Sequence, residues 1–235
     1  MKIAWTALFT SSFSVLCGCS SHYTAEPHAG RMSSDADRQV DALTEALWQA
    51  TMERYPTWAT DIGDRRYDDR LEDISLEAQR AWSKQQKDFL KRLQELANEQ
   101  LSPDRWVTAK VLSESLTNEL ALETCATDTW SVDQLSGYPL TIPRTASIQV
   151  IDSPAAAQNY LKRFGAFAHL MQQHVANLQR GLAAGFSALK VNVERVIEQL
   201  KAMLQESVER SPYAQAPERA KGLNGAQKLP LKPKS

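Results

Sequence analysis

The stretch from Asp152 to Leu182, DSPAAAQNYLKRFGAFAHLMQQHVANLQRGL, restricts the fold more than any other part of the chain. Ser153 can accept from the first free N–H groups of a helix, and Pro154 suits its first position, where no donor is needed. Beyond them Ala157, Tyr160, Leu161, Phe164, Phe167, Ala168, Met171, Val175, Leu178 and Leu182 recur on one broad face, a spacing that fits a helix. Gly181 and Gly185 mark its end. At about 1.5–3 kcal/mol for each large apolar side chain fully buried, this face is expected to dominate the core.

Four further segments repeat the pattern. A first helix begins near Ser34, carries Asp35 and Asp37 in its opening turn, and spaces Val40, Leu43, Leu47, Trp48, Met52 and Tyr55 helically before Pro56 ends it. A second starts after Asp73 or Ser75 with Trp82, Phe89, Leu93 and Leu96 on one face. A third runs from Ser102 and Pro103 to about Glu123, and a last one bears Val193, Val196, Ile197, Leu200, Met203 and Leu204. Residues 125–152 hold Gly137, Pro139 and Pro143 and alternate only briefly, which predicts a long irregular loop of the kind that often carries function. The expected fold class is all-α: a multi-helix array or bundle over residues 38–213 with one long loop between helices. Residues 214–235, rich in proline and lysine, read as a disordered basic tail.

The N-terminus has the layout of an export signal with a lipoprotein cleavage site: Lys2, the apolar run IAWTALFTSSFSVL, then LCGC. Cleavage between Gly18 and Cys19 would remove residues 1–18 and leave Cys19 as the lipid attachment point. Residues 19–37 would form a flexible tether. Several acyl chains, at about 0.8 kcal/mol per buried methylene, give durable anchoring without a membrane span. The expected location is the cell envelope, at the outer membrane facing the periplasm in a Gram-negative cell, because Ser20 and Ser21 stand where a retention aspartate would. Cys17 would leave with the signal, so no internal disulfide can form. Cys125, with no histidine near it in sequence, reads as a small buried hydrophobe. A net charge of −1 gives no electrostatic case for nucleic acid.

Charge concentrates in YPTWATDIGDRRYDDRLEDIS, Tyr55 to Ser75, with six carboxylates (Asp61, Asp64, Asp68, Asp69, Glu72, Asp73) and the arginines Arg65, Arg66 and Arg70. The spacing does not match D-x-[DN]-x-[DN]-G, so a turn whose carboxylates cap the next helix and pair with the arginines is preferred over a cation site. His169 and His174 are five residues apart, about 140° round a helix axis, and cannot share a metal as an i, i+4 pair does; His169 is expected to border the core. GFSAL, Gly185 to Leu189, lacks the final glycine of G-x-S-x-G and follows a helix where a strand is required. No H-E-x-x-H occurs in the chain, and no catalytic residue or metal ligand is assigned.

YPTWATDIGDRRYDDRLEDIS, the helix bearing Trp82, LSGYPLTIPRTASIQVIDSPAAAQNYLKRF, LQRGLAAGFSALKVNVERVIEQL and SPY occur in an order that resembles the bacterial family known as domain of unknown function 885. The resemblance spans roughly residues 38–213. It implies an exported, mainly helical lipoprotein similar to zinc peptidases of the thermolysin-like superfamily, in which H-E-x-x-H lies on a helix in the C-terminal half and a glutamate activates zinc-bound water. This chain resembles only the N-terminal half of such proteins. The implied reading is a catalytically incompetent, N-terminal part of a metallopeptidase-like protein, with zinc expected only in full-length relatives. The alternatives are a short helical lipoprotein that binds a peptide or protein partner and, lower, half of a peptidase completed in trans. The resemblance also implies that the N-terminal helices form one wall of a deep cleft, which Asp61, Asp64, Arg65 and Arg70 face or support by capping.

Overall fold

The computed structural model describes residues 34–96 and 101–228. The expected signal peptide, Cys19 and nearly all of the tether lie outside them. Every regular element among the described residues is helical, as the all-α reading predicts.

The first long helix, α1 (Asp35–Arg54), starts where Ser34 Oγ accepts from Asp37 N at 3.0 Å. Pro56 ends α1 and opens the short α2 (Pro56–Asp61), because its missing N–H is harmless only in a first turn. Helices α3 (Leu76–Leu96) and α4 (Pro103–Ala121) pack with α1 around Val40, Leu43, Phe89, Leu93, Ala109 and Leu116. The Asp37 carboxylate accepts from Ser102 N at 2.9 Å and so ties the start of α1 to the start of α4. That bond holds the carboxyl below its ordinary pKa.

Residues 125–152, expected to be irregular, contain the eleven-residue helix α5 (Tyr138–Ile148). Pro139 falls in its first turn, where a proline is tolerated. Pro143 lies inside it and removes one backbone bond, yet Ile142, Thr145 and Ala146 are buried, and their packing outweighs the lost bond.

The stretch expected to be one helix is two, α6 (Pro154–Gly165) and α7 (Phe167–Ala183). The break falls at Gly165 and Ala166, where glycine's backbone freedom makes helix continuation costly. Its broad face does not dominate the core. Tyr160 and Leu170 are buried, whereas Val175 and Leu182 stay exposed. A second core instead joins Ala146, Ile151, Ala157 and Tyr160 to Ala216, Ala220 and Leu223.

Those last three residues belong to the segment read as a disordered tail. Up to Lys228 it is ordered, with short helices α9 (Ala216–Arg219) and α10 (Gly225–Lys228) after α8 (Lys190–Gln205). Arg219 explains the docking: its guanidinium donates to the carbonyls of Ala146 at 2.6 Å and Ser147 at 2.9 Å, the last turn of α5, whose carbonyls have no partner in their own helix. Lys221 N adds a bond to the Ile151 carbonyl at 3.0 Å. Among the described residues no helix is long and apolar enough to cross a membrane.

Candidate functional site

The charged stretch Tyr55–Ser75 winds around a side chain contributed from far along the sequence. Arg163 on α6 is completely buried. Its Nε donates to the Arg70 carbonyl at 2.8 Å, its Nη1 to Thr60 Oγ1 at 2.8 Å and Gln149 Oε1 at 3.1 Å, and its Nη2 to the carbonyls of Tyr67 at 2.6 Å and Pro56 at 3.3 Å. The buried Asp68 carboxylate lies 3.7 Å from Nη2 and accepts from Thr60 Oγ1 at 2.6 Å. Burial draws the guanidinium below its usual pKa, opposed by the carboxylates of Asp68, Glu72 and Asp69. An irregular segment needs partners for its backbone carbonyls, and a planar cation with five donors supplies several at once.

The outer charges of this stretch pair in the same neighbourhood. Arg65 forms a bidentate pair with Asp152, at 2.7 and 2.9 Å. Asp61 receives Arg144 from α5 at 2.5 Å, and Arg70 Nε donates to Asp69 at 2.9 Å. Asp64 caps the 3-10 turn Arg65–Tyr67, accepting from Arg66 N at 3.2 Å, and its side-chain bond from Arg66 holds its carboxyl below the ordinary range. The segment that follows is fastened to α2 and α7: Thr57 N donates to Glu72 Oε1 at 3.1 Å, and Asn177 Nδ2 to the Ile74 carbonyl at 2.9 Å.

A large cleft lies elsewhere. Its volume is about 1320 Å³, more than the roughly 300–1,000 Å³ typical of small-molecule sites. One wall comes from α1, α3 and α4, through Leu47, Tyr55, Trp82, Leu112 and Leu116. The other comes from α7 and α8, through Phe167, Met171, His174, Val196, Leu200 and Met203, and residues 126–139 close one side. None of Asp61, Asp64, Arg65 and Arg70 lines it, so the expectation that these four face a cleft is not met by this one; Asp61 and Arg65 reach α5 and Asp152, whereas Asp64 pairs with Arg66 and Arg70 with Asp69.

Aromatic rings furnish much of the lining. Tyr55 and Trp82 meet edge to face with centroids 6.1 Å apart, Trp58 stacks likewise on Trp48 at 5.8 Å, and Tyr138 meets the His174 ring at 4.9 Å. Burial pushes the Tyr138 hydroxyl up to about 12 and lowers the His174 imidazole, which favours a neutral ring. Most carboxylates at the cleft are engaged: Glu119 accepts from Gln86 Nε2, Asp128 pairs with Arg180 at 2.7 Å, and Asp133 accepts from Leu135 N at 2.7 Å. Gln79, Ser83, Ser115 and Asn177 add polar groups along the walls.

Helix α8 is a cleft wall rather than a core helix. It buries no residue, and Leu200, Met203 and Ile197 are each more than 40 % exposed. Across the cleft mouth it leaves a continuous apolar row at i, i+3, i+4 spacing.

Two sequence readings fail here. His169 is exposed, since α7 turns it outward beside Gln173, and His174 is the histidine that borders the interior. Cys125 is exposed as well, because it ends a 3-10 turn after α4, where its carbonyl is held by Trp130 Nε1 at 2.8 Å. Arg54, Glu119 and Tyr138 were not singled out by the sequence; only their convergence from separate elements marks them. Among the described residues no group of three His, Cys, Asp or Glu side chains could hold a metal ion.

Residues 56–232 match the family described as bacterial protein of unknown function (DUF885). The chain belongs to that family. The DUF885 match takes in Arg163 and the whole segment that wraps it, together with every wall of the cleft except the part from α1. No curated protein matches the chain.

Proposed function

We propose that this DUF885 protein is a lipid-anchored envelope protein whose helical domain holds an extended apolar peptide segment in the cleft between α1, α3, α4 and α7, α8, and that it binds rather than cleaves what it holds. The observation that carries this reading is the cleft itself: about 1320 Å³, aromatic and aliphatic along both walls, with amide and hydroxyl groups spaced between the apolar ones. Apolar lining with a few placed polar groups is what binding sites share, and side-chain amides and hydroxyls suit the backbone of a peptide better than a plain hydrocarbon chain. The uncovered apolar row of α8 supports it, because an occupant would bury what the fold leaves bare.

Anchoring through Cys19, at the outer membrane facing the periplasm, and kinship with metallopeptidase-like proteins belong to the same proposal and rest on the residues quoted from the sequence. The test uses the full chain in phosphatidylcholine vesicles, titrated with an N-acetylated apolar pentapeptide while tryptophan emission is followed. Trp58 and Trp82 at the cleft should report saturable binding, and Leu200→Asp should weaken it about tenfold or more. Peptide release products in the same mixture would contradict the binding-only reading, and absence of saturable binding would contradict the cleft assignment.

A further inference from the structure

Among the described residues that line the cleft, Arg54 is the only arginine or lysine. Its Nη1 donates to the Asp73 carbonyl, and its guanidinium carbon lies 5.6 Å from the centroid of the Tyr55 ring. Its Nε is buried and has no hydrogen-bond partner. Among the described residues it makes no ion pair, although, with burial opposing, its charge helps hold the Asp73 carboxyl below its ordinary pKa. The Asp73 carboxylate is engaged by Ser75 N at 3.0 Å and Gln173 Nε2 at 2.9 Å, and Glu119 accepts from Gln86. A guanidinium set at an apolar cleft, with no carboxylate in ion-pair contact among the described residues, gains from an acceptor that a ligand brings to its outer nitrogens.

We infer that Arg54 receives the C-terminal carboxylate of the bound peptide, whose apolar side chains then run along Trp82, Leu116 and Leu200. This rests on the peptide-holding reading and adds the end of the ligand that the cleft recognises. Guanidinium and carboxylate match in charge and in planar geometry, and the pairing is strongest where water is excluded. A fatty acid offers the same headgroup, yet its chain would leave the hydroxyls of Ser83 and Ser115 facing hydrocarbon. The peptide is therefore the occupant to which the cleft commits.

The test uses the full chain in phosphatidylcholine vesicles and three probes: an N-terminally labelled Leu-Ala-Phe-Leu free acid, its C-terminal amide, and dodecanoate as competitor. The free acid should bind about tenfold tighter than the amide, and Arg54→Gln should erase the difference by weakening the acid alone. Equal affinity for acid and amide, or equal loss of both in Arg54→Gln, overturns the role of Arg54 while the peptide cleft stands. No saturable binding of either peptide overturns the cleft reading and this inference together. Dodecanoate displacing the labelled acid at lower concentration than unlabelled peptide overturns the choice of peptide over acyl chain.

Discussion

Arg163 Nη2 lies 3.7 Å from Asp68 Oδ1, and both side chains are shut away from solvent, at 0 % and 4 % exposure. Thr60 Oγ1 bridges them, accepting from Arg163 and donating to Asp68. This pair is the hub around which residues 56–70 are wound. Removing one partner of a buried pair costs about 3–5 kcal/mol, because the other charge is left uncompensated. At about 2–4 °C per kcal/mol for a domain of this size, Arg163→Ala should lower the melting temperature by roughly 10 °C. Arg163→Lys should recover little of it, since an ammonium cannot reach five acceptors in a plane. Thermal denaturation followed by circular dichroism measures both; a shift within a degree or two would remove Arg163 from the centre of the fold.

The contact between α7 and the turn after α4 depends on a missing side chain. A Cβ at Gly181 would sit inside the contact radius of the Thr129 carbonyl oxygen, which is backbone and cannot swing aside. Overpacking of this kind costs about 1–3 kcal/mol. Gly181→Ala should therefore lower the denaturant midpoint and also weaken peptide binding, because residues 126–128 of the cleft must move with Thr129. Unchanged stability with intact binding would mean that the two segments are not packed this closely.

His174 gives the cleft a pH dependence. Burial lowers its pKa from the ordinary 6.5, so the unfolded chain takes up a proton more readily than the folded one. The stability associated with the neutral ring is complete above pH 6.5 and is lost as pH falls from there toward the folded value. Urea midpoints measured from about pH 7.5 to about pH 5 should fall for the native protein and fall less steeply for His174→Gln. Parallel curves would place the titration elsewhere.

Arg65 and Asp152 make a bidentate pair, but they are 42 % and 48 % exposed. Exposed pairs contribute about 0.2–1 kcal/mol after screening. Arg65→Ala should shift stability by little more than that, the excess coming from its 3.6 Å contact with buried Asp68, and leave peptide affinity unchanged, since Arg65 does not line the cleft. A large loss of affinity would restore the role in the cleft that the sequence suggested for this residue.

Helix starts were legible in the sequence where a local rule decides them. Ser34 and Ser153 each bind the N–H three residues on, and Pro103 and Pro154 each open a helix, whereas Pro56, read only as the end of α1, also opens α2. The rest depended on contacts between distant segments. Helix α5 forms despite Pro143 because its buried side chains find the second core, and the segment around Ala216 is ordered because Arg219 meets the free carbonyls of α5. Nothing in the local sequence of Lys162-Arg163-Phe164 distinguishes a buried arginine from a solvated one; five acceptors gathered from residues 56–70 and 149 make the difference. The cleft is less legible still, since its walls come from both ends of the domain. Trp82 and Met171 stand out as members of apolar faces, whereas Arg54 looks like an ordinary cation in the last turn of a helix.

The most direct measurement is amide hydrogen exchange on the full chain in vesicles, with and without a saturating apolar pentapeptide. If the cleft holds the peptide, exchange should slow in α8 and in the 126–139 segment, whose residues line it, and stay unchanged around Arg65 and Arg144 on the ion-paired face. Protection centred on residues 61–70 with none in α8 would contradict the assignment and move the binding surface to the charged stretch.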